Sequence, residues 1–182
     1  MSPSGPSHAI DSVLAAAARS FDYGNRLLPG IQPHRFARLA SPGGVTIHSN
    51  HPAFVFGHLA LYPAIVLRSC GLDQRPAADA VAPPSEFERL FGRRVPCLDD
   101  PAGTIYPPMD AIVSAYQRAW RAGLDALRAL PDDAWSQPNR DEARNQTFTT
   151  VGFAAVFLLC NHSAVHLGQV SAWRRMEGLG PA

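Results

Sequence analysis

Apolar residues recur at three- and four-residue spacing in four stretches of the chain, and bands rich in proline and glycine separate these stretches. In the first stretch, Ile10, Val13, Leu14, Ala17, Phe21, Gly24 and Leu28 mark one face of a helix over 8–28, stopped by Pro29-Gly30. The second opens on Ser49-Asn50 as a capping pair with Pro52 in the first turn, then runs apolar on nearly every side over 50–70. Pro63 inside it removes one backbone hydrogen bond, which predicts a bend near Tyr62. The third has the cleanest period. Met109, Ile112, Val113, Tyr116, Trp120, Leu124, Leu127 and Leu130 form its apolar stripe, Asp110, Ser114, Gln117, Arg118, Arg121, Asp125 and Arg128 lie opposite, and Pro131 ends it. The fourth starts at Thr149-Thr150, passes through Phe153, Val156, Phe157, Cys160, Leu167, Val170 and Trp173, and closes on Arg174-Arg175 ahead of Gly178.

Between the second and third helices lies a long, proline-rich connection over 72–108. It holds one short helix announced by the capping box Ser85-Glu86-Phe87-Glu88 and closed by Gly92. A connection of this length can cross a bundle, and only 44–48 reads as a short extended piece. The pattern predicts an all-α fold, a four-helix bundle with a long Pro-rich connection between helices two and three, as a single domain over 1–182. In such bundles, sites form between facing helices.

Composition narrows the chemistry. All 16 basic residues are arginine, which excludes a Schiff-base lysine and a lysine-bearing phosphate loop. The net charge of +1 and the interspersed acids leave no dense basic stripe, so nucleic acid is not expected as a partner. Cys70, Cys97 and Cys160 are odd in number and widely spaced, which fits a reducing compartment and builds neither a disulfide framework nor a four-cysteine zinc site. Residues 1–11 show no basic start leading into an apolar run, and no uninterrupted apolar run reaches the roughly 18 to 20 residues of a membrane span. A cytoplasmic protein without a membrane partner is the expectation.

The histidines carry the candidate chemistry. His162 and His166 stand one helical turn apart on the same side of the fourth helix, spaced to share one ion. Such a pair arises by composition alone in roughly one chain in four of this make-up, so the pair needs support. His58 supplies it, because an imidazole in the middle of the apolar run Phe56-Gly57-His58-Leu59 needs a partner. Three imidazoles from two helices would leave a coordination position open, as catalytic rather than structural ions require. His51, about 10 Å from His58 by helix rise, cannot share that ion; it is expected in an exposed first turn or at a pocket mouth. His8, His34 and His48 fall in termini or loops and are expected in solvent. Tyr62, four residues after His58, and Gln169, three after His166, are placed to support a ring or reach a bound ligand, or simply to hydrogen-bond near the core. Ser163 and Ala164 stand where a zincin protease would carry its glutamate, so that reading is set aside. The tryptophans and the phenylalanines of the second and fourth helices are assigned to core packing, and Cys160 is expected to point away from the site.

Three stretches give the chain a family likeness: Ser49-Asn50-His51-Pro52 leading to Gly57-His58-Leu59-Ala60, Asp100-Pro101 to Tyr106-Pro107, and Asn161-His162 with His166-Leu167-Gly168-Gln169. In these it resembles the DinB-like superfamily of metal-binding four-helix bundles, which includes the YfiT-like proteins. The resemblance implies a divalent metal, zinc or nickel, on His58, His162 and His166, often in a homodimer. It also implies transferase or isomerase chemistry on an electrophilic small-molecule substrate, with a low-molecular-weight thiol such as mycothiol, bacillithiol or glutathione. Competing readings are a metal-dependent hydrolase, a non-enzymatic stress-related metal-binding dimer, and a metal-free bundle whose histidines hydrogen-bond in the core. No residue is assigned as acid or base.

Overall fold

The computed structural model describes residues 8–72 and 76–182. Most of the segment 1–11, read above as carrying no secretion signal, lies outside them. The described chain is all-helical, with one isolated antiparallel bridge between Pro138 and Thr150 in place of any sheet.

Helix α1 (His8–Arg26) buries Ala17, Phe21 and Gly24, then breaks through a turn ending at Gly30, whose φ of +85° suits glycine. The carbonyls just beyond it are satisfied from a distance. The buried Arg174 guanidinium donates to Leu27 O (2.8 Å) and Pro29 O (2.6 Å), a cation at a helix C-terminus. A short helix α2 (Pro33–Phe36) follows. Residues 44–48 form no strand, although Val45 is extended at φ −97°, ψ 114° after a 3-10 turn over Pro42–Gly44.

The second predicted helix is two helices. Helix α3 (Pro52–Ala60) is buried at every position, and α4 (Tyr62–Ser69) continues it beyond a break at Leu61. Pro63 causes the break, since it has no N–H to give the Leu59 carbonyl. That carbonyl accepts the Trp120 indole N–H instead, at 2.9 Å. On the same neighbouring helix, α7 (Met109–Arg128), Gly123 leaves room for the proline ring: a Cβ there would stand 2.6 Å from Pro63 Cβ. The bend is thus accommodated by two residues of α7. Helix α7 follows its predicted stripe closely, burying Ile112, Tyr116, Trp120, Leu124 and Leu127 against α3 and α4.

The connection holds two short helices, α5 (Pro76–Val81) and α6 (Phe87–Phe91). The predicted capping box does not form. Glu86 takes the cap position without a side-chain bond, and the Phe87 N–H goes to Pro84 O at 2.9 Å. Further on, the Asp100 carboxylate accepts the N–H groups of Thr104, Ile105 and Tyr106 at 2.9 to 3.2 Å, which tightens the loop leading to α7.

The fourth stretch is continuous but not uniformly α-helical. Thr150 caps α8 (Val151–Ala155) by accepting from Phe153 N, residues Val156–Asn161 form a π turn, and α9 (His162–Met176) follows. The Ser163 hydroxyl donates to Leu158 O at 3.0 Å across that turn. Gly178, at φ +75°, ends α9 as the sequence predicted. Leu179 N bonds Arg174 O and Gly178 N bonds Arg175 O, the double bond of a Schellman stop.

Two helical stretches, Pro52–Ser69 and Val151–Met176, have the length and mean hydropathy of a membrane span. Neither is an uninterrupted apolar run, since His58 and Arg68 interrupt the first and Asn161, His162, His166 and Gln169 the second. The first is 89% buried, as a core helix is; the second, 39% buried, gives its polar positions to the site described next.

Candidate metal centre

Helices α3 and α9 bring His58, His162 and His166 together, with one ring nitrogen from each lying within 4.8 Å of the others. Their rings sit 4.4 to 5.3 Å apart centre to centre. Two of the three rings, those of His58 and His166, have the place of their proton set by a neighbour. His58 Nδ1 donates to Phe91 O at 2.5 Å, which leaves the Nε2 lone pair facing the cluster. His166 Nδ1 donates to Gln169 Oε1 at 2.9 Å, and that oxygen also accepts from Asn50 Nδ2 at 3.0 Å. Asn50, just before α3, therefore orients a histidine of α9 through Gln169.

One lone pair on His58 Nε2 faces two neighbours: His162 Nε2 at 3.2 Å and the Tyr62 hydroxyl at 3.0 Å. Two imidazole nitrogens approach this closely only around a shared proton or cation. Two ligands of one tetrahedral zinc ion, each 2.0–2.1 Å from the metal, lie about 3.3 Å apart. The donor set, its protonation and its spacing fit a divalent ion.

Burial also sets the charge state. Desolvation pushes His58 down to about 4, and desolvation with the two neighbouring histidines pushes His162 down to about 3. Burial lowers His166 as well, against the bond to Gln169. All three rings are neutral at physiological pH, the form that binds metal. Desolvation raises Tyr62 to about 12, so its hydroxyl keeps its proton.

A cavity of about 540 Å³ opens above the three histidines. Its volume lies in the range of small-molecule sites.

A family model for the DinB superfamily matches residues 33–170. The chain belongs to the DinB superfamily. A search of curated proteins matched none. The match spans α2 through most of α9 and so includes all three histidines, Asn50, Tyr62, Phe91 and Gln169.

In this DinB-superfamily chain the loop at Asp100 does more than connect helices. Tyr106, held by the Asp100 carboxylate, stacks on Phe91 with ring centres 5.5 Å apart, and Phe91 carries the carbonyl that fixes His58. Gly57 completes this support: its missing side chain leaves space for the Phe91 ring, which would lie 2.5 Å from an added Cβ.

His51 departs from its expected position. It is fully buried and lines no part of the cavity. Its Nδ1 accepts the Phe54 N–H, capping α3, while Nε2 bonds Leu98 O at 2.9 Å. The capping residue is therefore His51 and not Ser49-Asn50. The bond to Leu98 satisfies the ring in the core, and a carbonyl 47 residues away is invisible to local spacing. His8, His34 and His48 are exposed, as expected.

Phe153 and Phe157 also depart from the core-packing assignment. They are 48% and 38% exposed and line the cavity. The π turn is the reason. With five residues per hydrogen-bonded step, Phe157 falls in line with His162, and the rings stack at 6.2 Å. Uniform α-helical counting would set them about 140° apart. Cys160 does point away, its sulfur 3.8 Å from Val13 O on the α1 side.

Proposed function

We propose that this chain is a metal-dependent enzyme, a four-helix bundle in which His58, His162 and His166 hold a divalent zinc or nickel ion. Such an ion, when bound, lowers the pKa of a thiol or water and so provides a nucleophile at neutral pH. The reading extends to transferase or isomerase chemistry on an electrophilic small molecule, with a low-molecular-weight thiol as co-substrate, in a cytoplasmic homodimer.

The observation that supports it is the cavity above the histidines. A structural ion is closed off by a fourth protein ligand. The group brought together among the described residues has three, and about 540 Å³ of space adjoins it. The chain's own residues prepare this site. Phe91 O and Gln169 Oε1 hold protons on the far nitrogens of His58 and His166, leaving the near ones free to bind. Phe148, Phe153 and Phe157 give the cavity an apolar wall that excludes water from one side. The Tyr62 hydroxyl keeps its proton and stands at the cluster as a hydrogen-bond donor.

Elemental analysis of protein purified without a histidine tag, with melting curves before and after chelation, tests the first half of the reading. Bound metal at 100 times its Kd raises stability by about 2.7 kcal/mol. Single alanine variants at His58, His162 and His166 are expected to lose the ion; variants that retain wild-type metal content would overturn the ligand assignment. Incubation of the loaded protein with a panel of thiols and electrophiles tests the second half. Thiol adducts support transfer, and product formed without thiol points to hydrolysis. A tightly bound ion with turnover of neither kind leaves the non-enzymatic metal-binding dimer.

A further inference from the structure

The cavity has a charged part of its lining that the metal reading does not use. Besides the phenylalanines it is lined by Arg93, Arg94, Arg144 and Glu88. Arg144 is matched by Asp141, which accepts from its guanidinium at 2.9 Å. Arg93 and Arg94 are exposed and form no hydrogen bond or ion pair among the described residues. After Glu88 is set against one of them, the lining keeps about one unmatched positive charge, the complement of a monoanion.

The backbone at Arg93 and Arg94 is unusual. Val95 N bonds Gly92 O at 3.1 Å, closing a turn in which Arg94 takes φ +69°, the left-handed region that turns of this kind reserve for glycine or asparagine. Arg94 is the one non-glycine residue in that region among those described. Strain of this kind persists where the surrounding structure holds it, and it clusters at ligand-binding positions. The turn follows directly on Phe91, whose carbonyl fixes His58, so the arginine pair and the histidine cluster are mounted on one piece of chain.

We propose that Arg93 and Arg94 are an anion-binding arm of this cavity, and that its ligand is a small organic monocarboxylate with an apolar, preferably aromatic, body. The guanidinium fork matches a carboxylate through paired hydrogen bonds. The phenylalanine wall takes the body and directs it across the histidine cluster. As a statement of substrate class this rests on the catalytic reading above, but the binding itself needs no ion.

The test uses 4-phenylbutyrate and its uncharged analogue 4-phenylbutanamide, titrated calorimetrically into the full chain with and without chelator. The carboxylate is expected to bind at least tenfold more tightly than the amide in both conditions. The Arg93→Gln/Arg94→Gln double variant is expected to lose that preference while keeping the amide's affinity. Arg94→Gly separates recognition from folding: it is expected to melt higher than wild type, by relief of the backbone, and to bind the carboxylate more weakly.

A preference that survives in the double variant, one that disappears on chelation, or no binding of either compound overturns the proposal. Wild-type protein that holds no metal yet keeps an arginine-dependent preference would overturn the catalytic reading and leave the anion arm standing.

Discussion

Replacing Gly57 with alanine sets two effects of opposite sign against each other at the support of His58. Within a helix, alanine is favoured over glycine by about 1 kcal/mol. The new Cβ, however, would lie 2.5 to 2.6 Å from three atoms of the Phe91 ring, against ordinary contact beyond 3.4 Å. The ring would have to retreat by about 1 Å. It is fully buried and packed against Phe54, Phe87 and Tyr106, with ring centres 6.1, 4.9 and 5.5 Å away, so retreat moves its neighbours as well. Overpacking of this kind costs about 2–3 kcal/mol, which exceeds the helix gain and leaves a net loss of about 1–2 kcal/mol. For a chain of this size that lowers Tm by about 2–8 °C. Moving Phe91 also moves the carbonyl that holds His58 Nδ1, and loss of such support weakens metal binding about 10- to 100-fold. Calorimetric melting of chelated protein and competitive zinc titration read the two effects separately. A Phe91→Leu change in the same chain makes room for the methyl group and is expected to recover part of the lost stability. A Gly57→Ala protein that melts above wild type with undiminished zinc affinity would refute the packing argument.

Other consequences can be checked directly. In chelated protein, burial holds His58 near 4 and His162 near 3, below the unfolded value of 6.5. Below pH 6.5 the unfolded chain takes up protons that the folded one resists, so stability is fully present above pH 6.5 and falls as pH drops toward 3. Urea midpoints at pH 7.5, 5.5 and 4.5 should show this decline, and His58→Gln/His162→Gln should flatten it; equal slopes in the two proteins would exclude these histidines as the cause. Gln169→Ala frees the His166 ring and should weaken zinc binding about 10- to 100-fold, with a smaller effect from Asn50→Ala, read by chelator competition. Trp120→Phe leaves the Leu59 carbonyl without its donor at the Pro63 bend and should cost about 1–3 kcal/mol in urea denaturation. An unchanged midpoint would mean that the carbonyl finds another partner.

Much of the helical layout is written in local spacing. The stripe of α7, the bend at Pro63, the Thr150 cap and the stop at Gly178 each depend on residues within one or two turns of each other, and the structure has all four. The capping box at Ser85 shows the limit of such signals. The letters fit, but the helix begins one residue later, with Glu86 rather than Ser85 in the cap position. The π turn is a change of hydrogen-bond register with no residue signature of its own, so helical counting misplaced Phe153 and Phe157 in the core.

The sequence by itself determined an all-helical chain, the one-turn spacing of His162 and His166, and the presence of an imidazole in an apolar helix that had to find a partner. Only the tertiary structure decided who the partners are. His58 meets Phe91 O across 33 residues and His162 across 104, and Asn50 meets Gln169 across 119. It decided, too, that His51 is sealed into the core and that an arginine pair and an aromatic wall line a common cavity. Periodicity follows from the geometry of one helix, which nearest neighbours fix. A site between helices depends on how their axes and registers meet, and that is set by packing over the whole chain.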